Sequence, residues 1–123
     1  MTKSILIVDD DQDIAEGAAI RLRSAGYDIV FAHNGHDGCE RAKRDRPNAI
    51  VLDIRMPKMD GIAVLGNLKN SDDTKSIPVV MMSASVVDEQ VALDAGAKYF
   101  VRKPFHGQSL VEAVNSATDS IRE

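Results

Sequence analysis

Five short apolar runs recur along the chain, and each is followed by residues at helical spacing. Ser4–Val8 is continuous, apolar and rich in β-branched residues, the pattern of a strand covered on both faces. It stops at Asp9-Asp10-Asp11, after which Ile14, Ala15, Ala18, Ala19, Leu22 and Ala25 form one helical stripe that Gly26 is placed to end. Asp28–Ala32 predicts a second, weaker strand. Asn34 then caps a polar helix with Asp37 in its first turn, Gly38, Cys39 and Ala42 facing inward, and an end by Arg46, before Pro47. Ala49–Leu52 predicts a third buried strand running into Asp53, followed by the loop Arg55–Gly61 and a short helix marked by Ile62, Leu65 and Leu68. Pro78–Met82 predicts a fourth strand, with the proline tolerated at its start. Val87, Val91, Ala92 and Ala95 mark a weak fourth helix from Val86 that stops at Gly96, and Tyr99–Val101 a short fifth strand. Leu110, Val111, Ala113, Val114, Ala117 and Ile121 give the cleanest helical stripe.

Strand–helix alternation of this kind predicts an α/β fold: a parallel sheet with helices on both faces, in three layers. With right-handed crossovers, the common five-stranded arrangement is the flavodoxin-like (βα)5 order 2-1-3-4-5. Sites in such sheets lie beyond the carboxyl ends of the strands. There the first strand offers Asp9 and Asp10, the third Asp53, the fourth Ser83, and the fifth runs into Arg102-Lys103. The second strand is at the edge, so its end (His33, Asn34) is expected to be remote from this group. Three carboxylates, a hydroxyl and an ammonium around one crevice suit phosphoryl transfer. A hard cation such as magnesium relieves carboxylate repulsion, a lysine offers a point charge to a phosphate oxygen, and a carboxylate can itself accept the group. Asp11 and Asp13 read more simply as residues of a helix start.

Composition narrows the field. The 123 residues carry 19 acids and 15 bases, for a net charge of −4, which argues against a nucleic-acid footprint. At 44 % hydrophobic and 28 % charged, the chain has the make-up of an ordered globular protein. No apolar run approaches the roughly 20 residues needed to span a membrane. The lone Cys39 and a start without signal-peptide character point to a cytoplasmic protein. His33 and His36 read as surface residues, His106 as a residue of a first helical turn, Cys39 as packing, and Met56 and Met59 as loop anchors. The Arg41–Arg46 run reads as a solvated helix face.

Four segments in order carry a family resemblance. Val8-Asp9-Asp10, Asp53-Ile54-Arg55-Met56-Pro57-Lys58-Met59-Asp60-Gly61, Ser83-Ala84 and Lys103-Pro104-Phe105 resemble the receiver domain of two-component response regulators, over essentially the whole chain. The resemblance implies that Asp53 is the phospho-acceptor. It implies that Asp10 binds magnesium (or manganese) directly, Asp9 partly through water, and the Arg55 backbone carbonyl completes the protein ligands. Lys103 pairs with a phosphoryl oxygen, Ser83 swings toward the phosphoryl group, and the Phe100 ring turns inward as it does. Pro57, Gly61 and Pro104 are the structural positions of these segments, and the Lys103–Pro104 bond is cis in many members. Serine at 83 and phenylalanine at 100 stand where threonine and tyrosine are commoner, and Phe100 lacks a phenol oxygen. Arg55 and Ser85 occupy the variable positions that set phosphoryl lifetime.

The implied role is signalling. The unit takes its phosphoryl group from a histidine kinase or histidine phosphotransfer protein and catalyses only its own phosphorylation and dephosphorylation. It switches the face of the fourth helix, fifth strand and fifth helix to control a target or output domain. That face is also a candidate for phosphorylation-dependent pairing of copies. Residues 1–123 read as a single receiver unit, so it either acts alone on a target or belongs to a longer chain. Three rivals remain. An aspartate-nucleophile hydrolase of the haloacid dehalogenase type would use Asp9-x-Asp11, but Gln12 and Asp13 stand where a hydroxyl is wanted. A flavodoxin-like electron carrier needs a hydroxyl-rich first loop where this chain has three acids. A receiver-like interaction module would never be phosphorylated.

Overall fold

The computed structural model describes residues 2–103 and 107–119. Five strands and five helices alternate: β1 (Ser4–Val8), α1 (Gln12–Ser24), β2 (Asp28–Ala32), α2 (Gly35–Asp45), β3 (Ala49–Asp53), α3 (Gly61–Lys69), β4 (Val79–Ser83), α4 (Val86–Asp94), β5 (Tyr99–Arg102) and α5 (Gly107–Asp119). The strands pair in parallel in the order β2-β1-β3-β4-β5, the expected flavodoxin-like sheet. Pro104, Phe105, His106 and Ile121, with the expected cis bond, lie outside the described residues.

The side-chain period of a strand divides β1 between two cores. Leu6 and Val8 face α2, α3 and α4 together with Ile50, Leu52, Val79 and Met81. Ile5 and Ile7 face α1 and α5 with Val51, Val80, Met82, Leu110 and Val114. Both faces of the central strands are therefore dry, which is why they read as unbroken apolar runs. Helix starts follow their capping residues: Asp11 accepts from the backbone N–H of Asp13 and Ile14, Asn34 from Asp37, and Asp60 from Ala63. Asp11 thus has the simple capping role. Pro78 flanks β4 rather than opening it, and its carbonyl accepts from the Ile50 N–H at 3.0 Å.

Two expectations need correcting. Val87 and Val91 do not face the core: they are 68 % and 45 % exposed, Ala95 is exposed too, and Ala92 is the apolar α4 residue that is buried. The polar Asp88 is buried in their place. His33 is exposed but not remote, because β2 lies beside β1; its Nδ1 sits 3.2 Å from the backbone carbonyl oxygen of Asp9. Among the described residues, no helix is long and apolar enough to cross a membrane.

Candidate functional site at the carboxyl ends of the strands

The end of β1 delivers Asp9, and the end of β3 delivers Asp53. Adjacent pairing of these strands brings their carboxylates together. Asp9, Asp10 and Asp53 each present a carboxylate oxygen within 4.8 Å of the others. Asp9 and Asp53 are buried, and Asp10 is exposed at the mouth. Opposite them, Lys103 follows β5, its backbone N–H donating to the Ser83 carbonyl at 3.0 Å. Its Nζ donates to Asp53 Oδ1 at 3.0 Å and Asp9 Oδ2 at 3.3 Å. The Asp11 backbone N–H donates to Asp9 Oδ1 at 3.0 Å.

One ammonium thus serves two buried carboxylates, and the electrostatics reflect the shortfall. Burial pushes the Asp53 carboxyl up to about 6; the Lys103 hydrogen bond opposes that rise, and the charge of Asp9 adds to it. A donated backbone hydrogen bond from Arg55 also favours the ionised form. Lys103 is itself disfavoured as a cation by burial, but its contacts with Asp53 and Asp9 outweigh that and raise its pKa. A divalent cation suits this donor set: hard oxygen ligands, clustered, with more negative charge than one lysine cancels.

The loop after β3 is built to hold Asp53 in place. Gly61 opens α3 against the end of that strand, and its N–H donates to the Ile54 carbonyl at 2.8 Å. A Cβ there would come within 2.3 Å of the Asp53 carbonyl oxygen, so no other residue fits without moving the acceptor strand. Pro57 lies in the same loop, its carbonyl accepting from Met59 N–H at 2.7 Å, while Met56 is buried in the core.

The structure therefore brings Asp9, Asp10, Asp53 and Lys103 together, with Ser83 buried at the end of the neighbouring strand. Phe100 on β5 is half-buried against the core under α4. Arg55 is exposed, and its guanidinium reaches away from the carboxylates to Asp88, with Nε to Oδ2 at 2.8 Å and Nη2 to Oδ1 at 3.0 Å. Asp88 also accepts from Ser83 Oγ at 2.6 Å. Sequence reading missed Asp88. The one available sign was an acid three residues past Ser85 in an otherwise apolar helix start, and that ordinarily marks a capping box.

The family described as "Response regulator receiver domain" matches residues 5–115. The curated response regulator MprA of Mycobacterium ulcerans is 38 % identical over 111 residues, which span 90 % of this chain and 48 % of that protein. The chain therefore spans about half the length of such relatives. Among solved structures, the signal receiver domain of a signal transduction histidine kinase from Syntrophus aciditrophicus superposes with a TM-score of 0.90 at 30 % identity, covering 99 % of this chain and 94 % of that one. The receiver domain of sensor histidine kinase PA1611 from Pseudomonas aeruginosa PAO1, solved with a magnesium ion coordinated in its active-site cleft, gives a TM-score of 0.89 at 24 % identity, covering 97 % and 99 %.

Proposed function

The chain belongs to the response regulator receiver domain family of two-component signalling, and from that premise we propose that Asp53 is its phospho-acceptor. The observation that carries this reading is the buried Asp53 carboxylate, 3.0 Å from the Lys103 ammonium and clustered with Asp9 and Asp10. In the proposed reaction an Asp53 carboxylate oxygen forms a bond to phosphorus as the phosphorus–nitrogen bond of a phosphohistidine breaks. The imidazole leaves with the electron pair and takes up a proton. Asp10, Asp53, the Arg55 backbone carbonyl and, in part through water, Asp9 would hold magnesium (or manganese), which would supply the positive charge that lets an anionic donor approach these anions. Lys103 holds a phosphoryl oxygen, and Ser83 donates its hydroxyl to another.

The new charge then biases a two-state element. As Ser83 moves toward the phosphoryl group, the half-buried Phe100 ring turns inward. The surface of α4, β5 and α5 changes shape for a target, an output domain or a second copy of the chain. The phosphoryl donor is a histidine kinase or histidine phosphotransfer protein, which places the unit in the cytoplasm. Pro57 and Gly61 keep the acceptor loop in register, and residues 1–123 act as one receiver unit without direct contact to nucleic acid or membrane.

Intact-mass measurement after incubation with acetyl phosphate tests the assignment. The expected result is a magnesium-dependent gain of one phosphoryl group that is absent in Asp53→Asn. Undiminished gain in that variant overturns the assignment of Asp53, and steady turnover of a phosphate ester points instead to a hydrolase.

A further inference from the structure

Ser83 has one hydroxyl proton, and here it is already committed. Its Oγ donates to Asp88 Oδ2 at 2.6 Å, in a setting where both residues are buried. The acceptor is held from its other side by the two hydrogen bonds from the Arg55 guanidinium. Asp88 is thus fixed between the Arg55 guanidinium and the Ser83 hydroxyl. Asp88 is not serving its own helix. As the acid three residues beyond the Ser85 N-cap, it could reach back to the Ser85 N–H. That N–H instead donates to Ser83 Oγ at 3.1 Å, and Ser85 makes no side-chain cap bond of its own. The loop after β3, 33 residues away in sequence, therefore meets the end of β4 and the start of α4 at one carboxylate.

We propose that Asp88 is a positioning residue that holds the Ser83 hydroxyl in the resting arrangement, with Arg55 anchoring it, and that a phosphoryl group on Asp53 and the Asp88 carboxylate compete for the same Ser83 proton. The proposal rests on the receiver reading of Asp53 and Ser83. It makes the coupling reciprocal: whatever weakens the bond to Asp88 favours the arrangement in which Ser83 serves the phosphoryl group, and phosphorylation in turn releases Asp88 and the start of α4. Arg55 is then the link between the two sides. It lies two residues beyond Asp53 in the acceptor loop, and its side chain holds the competing carboxylate.

A double-mutant cycle reads this directly, using the rate of magnesium-dependent phosphorylation by acetyl phosphate. Hydrogen bonds to charged groups are strong enough that removing the competitor is expected to accelerate phosphorylation about 10-fold in Asp88→Asn. In the Ser83→Ala background the same change is expected to alter the rate less than about 2-fold, because no hydroxyl is left to compete for. A carboxylate that merely pins α4 would act equally in both backgrounds, and that result, or a slower rate in a folded Asp88→Asn variant, overturns the proposal. Asp88→Ala serves as the second variant, with thermal melting as the check that both fold. If the unaltered protein takes up no phosphoryl group, the receiver reading fails separately. The Ser85 amide resonance of the unmodified protein then decides the positioning role: a shift in Asp88→Asn is expected, and an unmoved resonance overturns it.

Discussion

The two ends of the sheet treat charge in opposite ways. At the amino end, Arg46 pairs with Asp73 at 3.1 Å and Lys75 with Asp72 at 2.9 Å, all with more than half of each side chain exposed. A cleft of about 640 Å³ lies there, lined in part by Arg46, Lys69, Asp73 and Lys98. Each acid of those pairs has its own base, and water screens what remains, so such contacts contribute little to stability. At the carboxyl end, the side chains of Asp9 and Asp53 are 0 % and 5 % exposed and share Lys103, itself only 15 % exposed. Charge that is paired and wet marks a surface. Charge that is buried and under-compensated has a cost in the free protein and is retained because something else completes it. A pocket alone does not separate the two ends; the charge balance does.

The largest expected effect tests how tightly the carboxyl end is built. Gly61→Ala forces a Cβ onto the Asp53 carbonyl and is expected to lower unfolding stability by about 3 kcal/mol and to slow phosphorylation. Gly66→Ala, one turn and more along the same helix toward the amino end, meets nothing within 4 Å and is expected to stabilise by about 0.5–1 kcal/mol. Denaturant unfolding of both variants checks the contrast, and equal effects would break it.

A smaller effect tests the charge imbalance itself. The Asp53 carboxyl stands near 6 in the fold against an ordinary 3.8, so its ionised form is disfavoured by folding. That burden is fully present above about pH 6 and is lifted as pH falls toward 3.8. Asp53→Asn is therefore expected to raise stability at pH 7 by about 1–2 kcal/mol, less than the full pKa difference because the bond to Lys103 weakens. The gain should shrink as pH falls through that window. Asp73→Asn at the amino end is expected to change stability by less than about 0.5 kcal/mol. Thermal melts across pH measure both, and a stability gain that grows toward low pH would contradict the account.

Much of this was legible in the sequence because its rules are local. Ser4–Val8 and Ala49–Asp53 are dry on both faces, so they read as strands without help. The order of the strands then brought Asp9, Asp53, Ser83 and Lys103 to one edge before any coordinate was known. α4 was found, but not the face it buries. Its valines 86, 87 and 91 point outward and its Asp88 inward, the reverse of a core-facing helix. Hydrophobic periodicity cannot orient such a helix, because one of its inward groups is matched to Arg55, 33 residues away, and not to an apolar core. His33 was misplaced for a simpler reason: an edge strand is still one strand away from β1, and its ring reaches the Asp9 carbonyl.

The most direct test of the central claim is calorimetric titration of the free protein with magnesium at pH 7. Under-compensated charge at Asp9, Asp10 and Asp53 predicts binding at one site, weakened at least about tenfold by Asp10→Asn and unchanged by Asp73→Asn. Binding that survives Asp10→Asn at full strength, or no binding to the unaltered protein, would contradict it.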